Sequence, residues 1–209
     1  MRTLAIECAT EACSAALFED GVLLAGTLEV FGRGHAEWLV PMIAELPDRG
    51  RADRILVSLG PGSFTGVRVG LAAARGLALA WKAECLGYPT LALVAAMARE
   101  QQPGEAVTVC MSGGHGEWFM QDFGVDGLPT EMLASMTPAN AGARVVANAK
   151  VLAGSKAREL ANFYQEDQVF LDILPDARKA MLVPYSLVIA DLAPIYGRAP
   201  DAKLPGRPA

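Results

Sequence analysis

The spacing of apolar positions along the first hundred residues predicts alternating strands and helices. Short apolar runs bounded by turn residues indicate strands, and apolar residues three and four positions apart indicate amphipathic helices. The predicted elements are strands at Thr3–Cys8, Ser14–Glu19 and Val22–Val30, a helix at His35–Leu46, a strand at 55–59, a helix at 64–82, a strand at Cys85–Tyr88 and a helix at Thr90–Glu100. This β-β-β-α-β-α-β-α order is typical of a mixed sheet with helices packed on it.

After the turn-forming segment Gln101–Gly104 the same order begins again. An Asp-Gly hairpin turn at Asp126-Gly127 occupies the place that Asp20-Gly21 holds in the first half, which suggests a duplicated unit. The predicted elements are strands at Ala106–Met111, Glu117–Val125 and Arg144–Asn148, a helix at Val151–Tyr164, a strand at Val169–Asp172 and a helix at Pro175–Leu182. We therefore predict an α/β protein with one subdomain at 1–100 and a shorter one, with an irregular tail, at 101–209.

The helix that follows Gly60-Pro61-Gly62 has an unusual composition. Small residues recur at every fourth position, and the only charged residues are spaced by seven in one narrow stripe. The small residues are Gly62, Gly66, Gly70, Ala74 and Ala78, and the charged ones are Arg68, Arg75 and Lys82. Ser63 or Thr65 can cap its start. A helix that is apolar nearly all round is buried on most sides, so we interpret it either as an ordinary core helix or as one pressed between its own sheet and a second surface.

Composition narrows the class of protein. The 209 residues are 52% hydrophobic and 20% charged, as in a folded globular protein, and the formal net charge is −5. This charge, with no run of basic residues, argues against a chain that binds nucleic acid by itself. The four cysteines have neither zinc-like nor CxxC spacing. The apolar stretch around Arg68 and Arg75 is interrupted by charge, which counts against a membrane span. We expect a cytoplasmic protein.

Several motifs resemble one known family. LAIECATEACSAAL at the start, HAEWLVPMI, GPGSFTGVRVGLAAARGLALAW and the tail PIYGRAPDAK are similar to the TsaB (YeaZ) family, over nearly the whole chain and most densely in residues 1–82. The resemblance implies a duplicated actin-like (ASKHA, RNase H-like) fold. It also implies a role in tRNA threonylcarbamoyladenosine modification, in which TsaB pairs with its catalytic paralogue TsaD and with the ATPase TsaE. The chain departs from the family pattern at Ser112–Glu117, where many members read Asp-Ala-Arg before Gly-Glu.

On this basis we expect a non-catalytic scaffold subunit, an inactive paralogue without cofactor. It would form a heterodimer with TsaD, help to recruit TsaE, contact tRNA only through the complex and dimerise with itself when alone. Aromatic, Met and Arg side chains are enriched in protein interfaces, and the 35–46 and 64–82 helices carry such residues beside the small ridge. The predicted partner interface consists of His35, Trp38, Leu39, Met42, Gly66, Arg68, Val69, Gly70, Ala73 and Ala74.

The alternatives require catalytic or nucleotide-binding residues. In TsaD an HxxxH motif binds metal, but the matching positions here are Thr90 and Val94, and only His35 and His115 remain as histidines. A metallopeptidase is therefore disfavoured. An ATP-binding enzyme of the actin-like fold, such as a small-molecule kinase, needs phosphate turns and an adenosine-binding turn, for which Val145–Lys150 is a poor match. The residues that such phosphate turns would use, here interpreted as remnants, are Glu7, Thr10, Glu11, Ser14, Gly60, Gly62 and Ser63.

Overall fold

The computed structural model describes residues 1–32, 34–144, 150–164 and 168–197. The strands are β1 Arg2–Glu7, β2 Ala12–Glu19, β3 Val22–Val30, β4 Arg54–Ser58, β5 Glu84–Tyr88, β6 Val107–Gly114, β7 Glu117–Phe123, β8 Ala134–Met136, β9 Val151–Ala153 and β10 Val169–Leu171. The helices are α1 His35–Ala44, α2 Phe64–Trp81, α3 Thr90–Gln101, α4 Pro138–Ala143 and α5 Ala157–Ala161, with 3₁₀ turns at Pro47–Gly50, Ala177–Leu182 and Tyr185–Leu187. None of the helices in these ranges is long and apolar enough to cross a membrane.

The first sheet has the strand order β3-β2-β1-β4-β5. β1 and β2 pair antiparallel, as do β2 and β3, whereas β4 and β5 run parallel to β1. The turn between β2 and β3 has Asp20 and Gly21 both at positive φ, as a two-residue hairpin turn of this kind requires. All eight elements predicted for the first hundred residues are present, and the order predicted from hydrophobic periodicity is confirmed.

The second sheet repeats this plan. Its order is β10-β9-β6-β7-β8, so that β6, β7 and β8 form the antiparallel meander while β9 and β10 run parallel to β6. Helix α4 precedes β9 and α5 precedes β10, as α1 and α2 precede β4 and β5 in the first half. The mixed-sheet α/β architecture and its duplication, predicted as an actin-like fold, are therefore confirmed.

Three hydrophobic clusters arrange these elements in layers. One cluster places α1 and α2 against one face of the first sheet. A second lies between the two sheets and contains most of α3 together with the Ala177–Leu182 turn. A smaller third cluster joins α4 and α5 to the far face of the second sheet. In this second cluster α3 packs against strands of both sheets. The predicted division of the chain between residues 100 and 101 stays a prediction.

After β10 the chain returns to the first half. The backbone N–H of Ala177 donates to Ser14 Oγ at 2.9 Å, and Ile189 forms an antiparallel bridge with Gly87 on the edge strand β5. Further along, Ile195 N donates to Leu59 O at 2.7 Å. Residues 176–197, here named the return segment, therefore cover the first sheet and hold the two halves together.

Two predicted elements of the second half differ from the structure. The helix predicted at Val151–Tyr164 is wrong at its start, because Val151–Ala153 is the strand β9 and only Ala157–Ala161 is helical. The helix predicted from Pro175 is a 3₁₀ turn at Ala177–Leu182. β8 and α4 were not predicted. The strand predicted at Arg144–Asn148 lies, beyond Arg144, outside the described residues.

Candidate functional site

Two turns of the first half meet at the start of α2. Ser63 N donates to Ala9 O at 2.6 Å, and Ser63 Oγ accepts a hydrogen bond from Gly66 N at 3.1 Å, so Ser63 is the N-cap that the sequence predicts. A Cβ on Gly62 would lie 1.9 Å from Ala9 O. Only glycine therefore allows the Gly60–Ser63 turn to approach the β1–β2 turn this closely.

The small ridge of α2 faces the protein's own sheet. A Cβ on Gly66 would lie 2.1 Å from Cys8 O, and one on Gly70 would contact Cys8 and Val57 at 3.6 Å. Ala74 is fully buried. The idea that this ridge gives a second protein a close approach is therefore corrected: the missing side chains allow α2 to approach β1 and β4.

A cleft of about 860 Å³ lies between the two halves. One wall contains the β1–β2 turn and the start of α2, and the opposite wall contains the β6–β7 turn. Residues at the end of the return segment also line the cleft. Its lining residues are Ala9, Thr10, Glu11, Gly32, Gly62, Ser63, Phe64, Arg68, Met111, Ser112, Gly113, Gly114, His115, Phe119, Ser155, Ile195, Tyr196 and Gly197. The segment that departs from the family pattern thus forms part of the cleft wall.

The predicted phosphate-turn residues divide into two groups. Thr10, Glu11, Gly62 and Ser63 line the cleft, so the structure brings the two turns together. The other three, Glu7, Ser14 and Gly60, are buried and do not line it. Ser14 accepts the Ala177 hydrogen bond and therefore has a structural role. The stretch Val145–Lys150, a poor match to an adenosine-binding turn, lies, before Lys150, outside the described residues.

Glu7 is a buried carboxyl group beneath the β1–β2 turn. Its Oε1 accepts a hydrogen bond from Ala9 N at 2.7 Å, and its Oε2 has no hydrogen-bond partner within the described ranges. Burial raises the pKa of Glu7 to about 7, against the opposing effect of the Ala9 hydrogen bond and of the nearby Ser58 and Tyr88 hydroxyls. Glu7 is therefore part of the core that supports the turn, and its position does not suit a magnesium ligand in the cleft.

The two histidines lie in different surroundings. His35 is buried, and its Nε2 donates to Thr10 O at 2.8 Å, so it holds the β1–β2 turn from the start of α1. His35 therefore has a structural role at the start of α1. His115 lines the cleft at a φ of 51° in the β6–β7 turn. The described part of the chain contains no group of three His, Cys, Asp or Glu side chains that could hold a metal ion.

The positions that match the TsaD metal motif are occupied by core residues. Thr90 Oγ1 and Ser58 Oγ lie 2.6 Å apart in a buried hydroxyl pair. Val94, one helical turn further along α3, is fully buried in the cluster between the two sheets. Thr90 therefore joins the start of α3 to the end of β4, and Val94 packs between the halves.

The contacts of Arg68 with aromatic side chains were not predicted. The guanidinium of Arg68 lies 3.2 Å from the ring centroid of Phe64 and donates to Tyr196 Oη at 2.6 Å. Arg75 donates to Leu192 O at 3.1 Å. The return segment is therefore joined to the charged stripe of α2. The tyrosine in the tail motif was the available signal, but its partner lies 128 positions away.

The predicted interface residues are partly exposed and partly buried. Trp38 is 51% exposed and stacks on Phe31, with ring centroids 5.1 Å apart. Arg68, Val69 and Ala73 are half-buried. The buried members, which cannot contact a partner directly in this structure, are His35, Leu39, Met42, Gly66, Gly70 and Ala74. The interface itself stays a prediction, and any contact would use the outer face of α1 and α2.

Comparison with known proteins identifies the family of this chain. The family model described as "TsaD: tRNA N6-adenosine threonylcarbamoyltransferase" matches residues 29–183, well over half of the chain. The chain is also 36% identical over 128 residues to the tRNA threonylcarbamoyladenosine biosynthesis protein TsaB of Escherichia coli (strain K12). The chain belongs to the TsaB (YeaZ) branch of this family.

The TsaB matches differ in extent. The Escherichia coli match covers 59% of this chain and 55% of that protein, and a match to TsaB of Haemophilus influenzae, 36% identical over 113 residues, covers 52% and 48%. The chain thus aligns with about half the length of these curated relatives. The solved structure of YeaZ from Pseudomonas aeruginosa covers 93% of this chain and 99% of its own, with a TM-score of 0.79 and 29% identity. The TsaB-type fold therefore extends over both halves.

Proposed function

We propose that this chain acts in the biosynthesis of tRNA threonylcarbamoyladenosine as a non-catalytic partner subunit. It pairs with a TsaD-type protein, helps to recruit the TsaE ATPase, contacts tRNA only through the complex and forms a homodimer when alone. The family membership and the names of the relatives support the pathway. The packing roles of Thr90 and Val94, at the positions of the TsaD metal motif, support a subunit without that catalytic centre.

The exposed apolar residues on the outer face of α1 and α2 are the observation that supports the proposed pairing. α1 and α2 pack side by side on the first sheet, and both present apolar side chains to solvent. Leu79 is 84% exposed, the highest fraction among the large apolar residues of α2. The exposed or half-buried apolar residues of this face are Ala36, Trp38, Val40, Pro41 and Ala44 on α1, and Val69, Ala72, Ala73, Leu79 and Ala80 on α2. Exposed apolar residues gathered on one face are typical of a protein interaction site.

A partner with the same fold would offer an equivalent pair of helices. The two helix pairs would then form a four-helix contact, and a homodimer would use the same patch on both copies. The small side chains along α2, such as Ala72 and Gly76, allow the close helix approach that this packing needs.

The test is the mass of a mixture with the TsaD-type protein of the same organism, measured by light scattering after gel filtration. We expect a heterodimer for the wild-type chain, and a gain of tRNA modification when TsaE is added. Leu79→Glu places a charge in the apolar contact and should weaken pairing by roughly tenfold or more. Met132→Glu is the matched control, because Met132 is 87% exposed but lies in the second half. Pairing by Leu79→Glu at wild-type strength, or two separate peaks for the wild-type mixture, would contradict the proposal.

The second candidate is an ATP-binding enzyme, and the cleft is the observation that favours it. Turns at Thr10–Glu11 and Gly62–Ser63 meet there beside Arg68 and an apolar floor that includes Phe119. Calorimetric titration of the isolated chain with ATP, followed by an assay for turnover, distinguishes the two candidates. Binding with turnover would favour the enzyme, whereas no heat of binding would favour the subunit.

A further inference from the structure

Two thiols face each other where β1 and β2 join. Glu7 pairs with Ser14 at the last register position of these strands, so Cys8 and Cys13 form the next cross-strand pair. Their Sγ atoms lie 3.3 Å apart, and both side chains are buried. Directly opposed residues of an antiparallel pair have Cβ separations that overlap the range a disulfide requires.

The two thiols differ in acidity because each acts on the other. The hydrogen bond from the Cys8 thiol lowers the pKa of Cys13, and the same hydrogen bond, together with burial, raises the pKa of Cys8. Burial raises the pKa of Cys110 to about 12 and also raises that of Cys85. Of the four cysteines, Cys13 is therefore the one best able to react as a thiolate, which is the nucleophilic form.

We propose that Cys8 and Cys13 form an intramolecular disulfide when the protein meets hydrogen peroxide. The Cys13 thiolate attacks one peroxide oxygen, the O–O bond breaks, and the departing hydroxide takes a proton and leaves as water, so that Cys13 carries a sulfenic acid. The Cys8 sulfur then attacks the Cys13 sulfur, and the displaced hydroxide leaves with the Cys8 proton as a second water. Two electrons pass from the thiol pair to the peroxide.

The turn between the two cysteines connects this modification to the cleft. The three residues Ala9, Thr10 and Glu11 line the cleft, and they belong to the turn that the two cysteines enclose. Forming the bond draws the sulfurs from 3.3 Å to about 2.05 Å. The shift reaches α2, because the backbone of Cys8 and Ala9 contacts Gly66 and Ser63. Oxidation therefore changes the cleft wall, and this inference does not depend on the proposed function.

Proteolysis after Glu residues tests the proposal directly. The full chain is treated with hydrogen peroxide, free thiols are alkylated under denaturing conditions, and the protein is digested with a Glu-specific protease. Cleavage after Glu7, Glu11 and Glu19 separates Cys8 from Cys13. We expect peptides 8–11 and 12–19 to be recovered as one linked species, lighter than their sum by two hydrogen atoms. A reducing agent should separate them, and Cys85 and Cys110 should remain alkylated.

Variants and an equilibrium measurement make the outcome decisive. Cys8→Ala and Cys13→Ala should each abolish the linked species, whereas Cys85→Ala, the matched control, should retain it. The wild-type chain is also equilibrated in glutathione buffers of increasing oxidised fraction. Its number of free thiols should fall from four to two. This measurement does not depend on whether a variant folds. Four free thiols after peroxide treatment, or a link from either peptide to Cys85 or Cys110, would overturn the proposal.

Discussion

Replacement of Gly66 by alanine tests whether α2 is pressed against its own sheet. The added Cβ would lie 2.1 Å from the backbone oxygen of Cys8, which cannot rotate away. The same change at Gly70 would bring a Cβ to 3.6 Å from its neighbours, which is ordinary contact. At Gly76, which is exposed, nothing lies within 4 Å. Three glycines of one helix therefore provide a graded series.

The magnitudes follow from two opposing effects. Alanine is favoured over glycine inside a helix by about 0.5–1 kcal/mol. Gly76→Ala should show this gain in the free energy of unfolding, and Gly70→Ala should retain most of it. At Gly66 the helix must move away from β1, and overpacking of this kind costs about 1–3 kcal/mol or more. Gly66→Ala should therefore be less stable than Gly76→Ala by roughly 2 kcal/mol.

Urea unfolding followed by far-ultraviolet circular dichroism gives the midpoints, which are comparable when the slopes agree. The expected order of midpoints is Gly76→Ala highest, then Gly70→Ala, then wild type, with Gly66→Ala lowest. Equal stabilisation by Gly66→Ala and Gly76→Ala would refute the reasoning. In that case the ridge would be open in the isolated chain and free to receive a second protein.

Two further predictions concern buried polar groups. The pKa of Glu7 is raised from 4.5 to about 7, so its neutral form stabilises the fold fully below pH 4.5, and this stabilisation is lost as the pH rises through about 7. The loss amounts to roughly 3 kcal/mol of unfolding free energy. Glu7→Gln should remove this decline from unfolding free energies measured between pH 4.5 and 8. An unchanged pH profile in the variant would show that Glu7 does not titrate in this range. Ser14→Ala leaves the buried Ala177 N–H without its acceptor and should lower the free energy of unfolding by about 1–3 kcal/mol. Ser112→Ala, an exposed control, should leave it nearly unchanged.

The sequence predicts the first half better than the second because their elements differ in length. Helices of ten to eighteen residues, such as α1 and α2, carry several turns of periodic pattern. By contrast, Val151–Ala153 is a three-residue apolar run that fits a strand or a helix equally well. It becomes a strand because β6 and β10 pair with it on either side. Gly154, at a φ of 111°, ends the strand and was the local signal against a continuous helix.

The turns of the site could be predicted from the sequence, but the neighbours that each face of α2 contacts could not. The turns at Thr10 and Ser63 follow from strand ends and glycines, and the structure brings them together. The periodicity of α2 locates the small ridge but does not say which neighbour occupies it. The contact between Arg68 and Tyr196 depends on the return segment, whose path is set by long-range pairing with Leu59 and Gly87.

Within the residues that the structure describes, the chain passes between the halves twice, once at residues 102–106 and again at residues 172–176. Two bodies joined at two separate points turn most easily about the line through both points. Sliding or twisting of one half over the other would stretch at least one of the connections. One hydrophobic cluster also fills the space between the two sheets. Any change in the width of the cleft between His115 and Thr10 would therefore load this shared core as well as both connections.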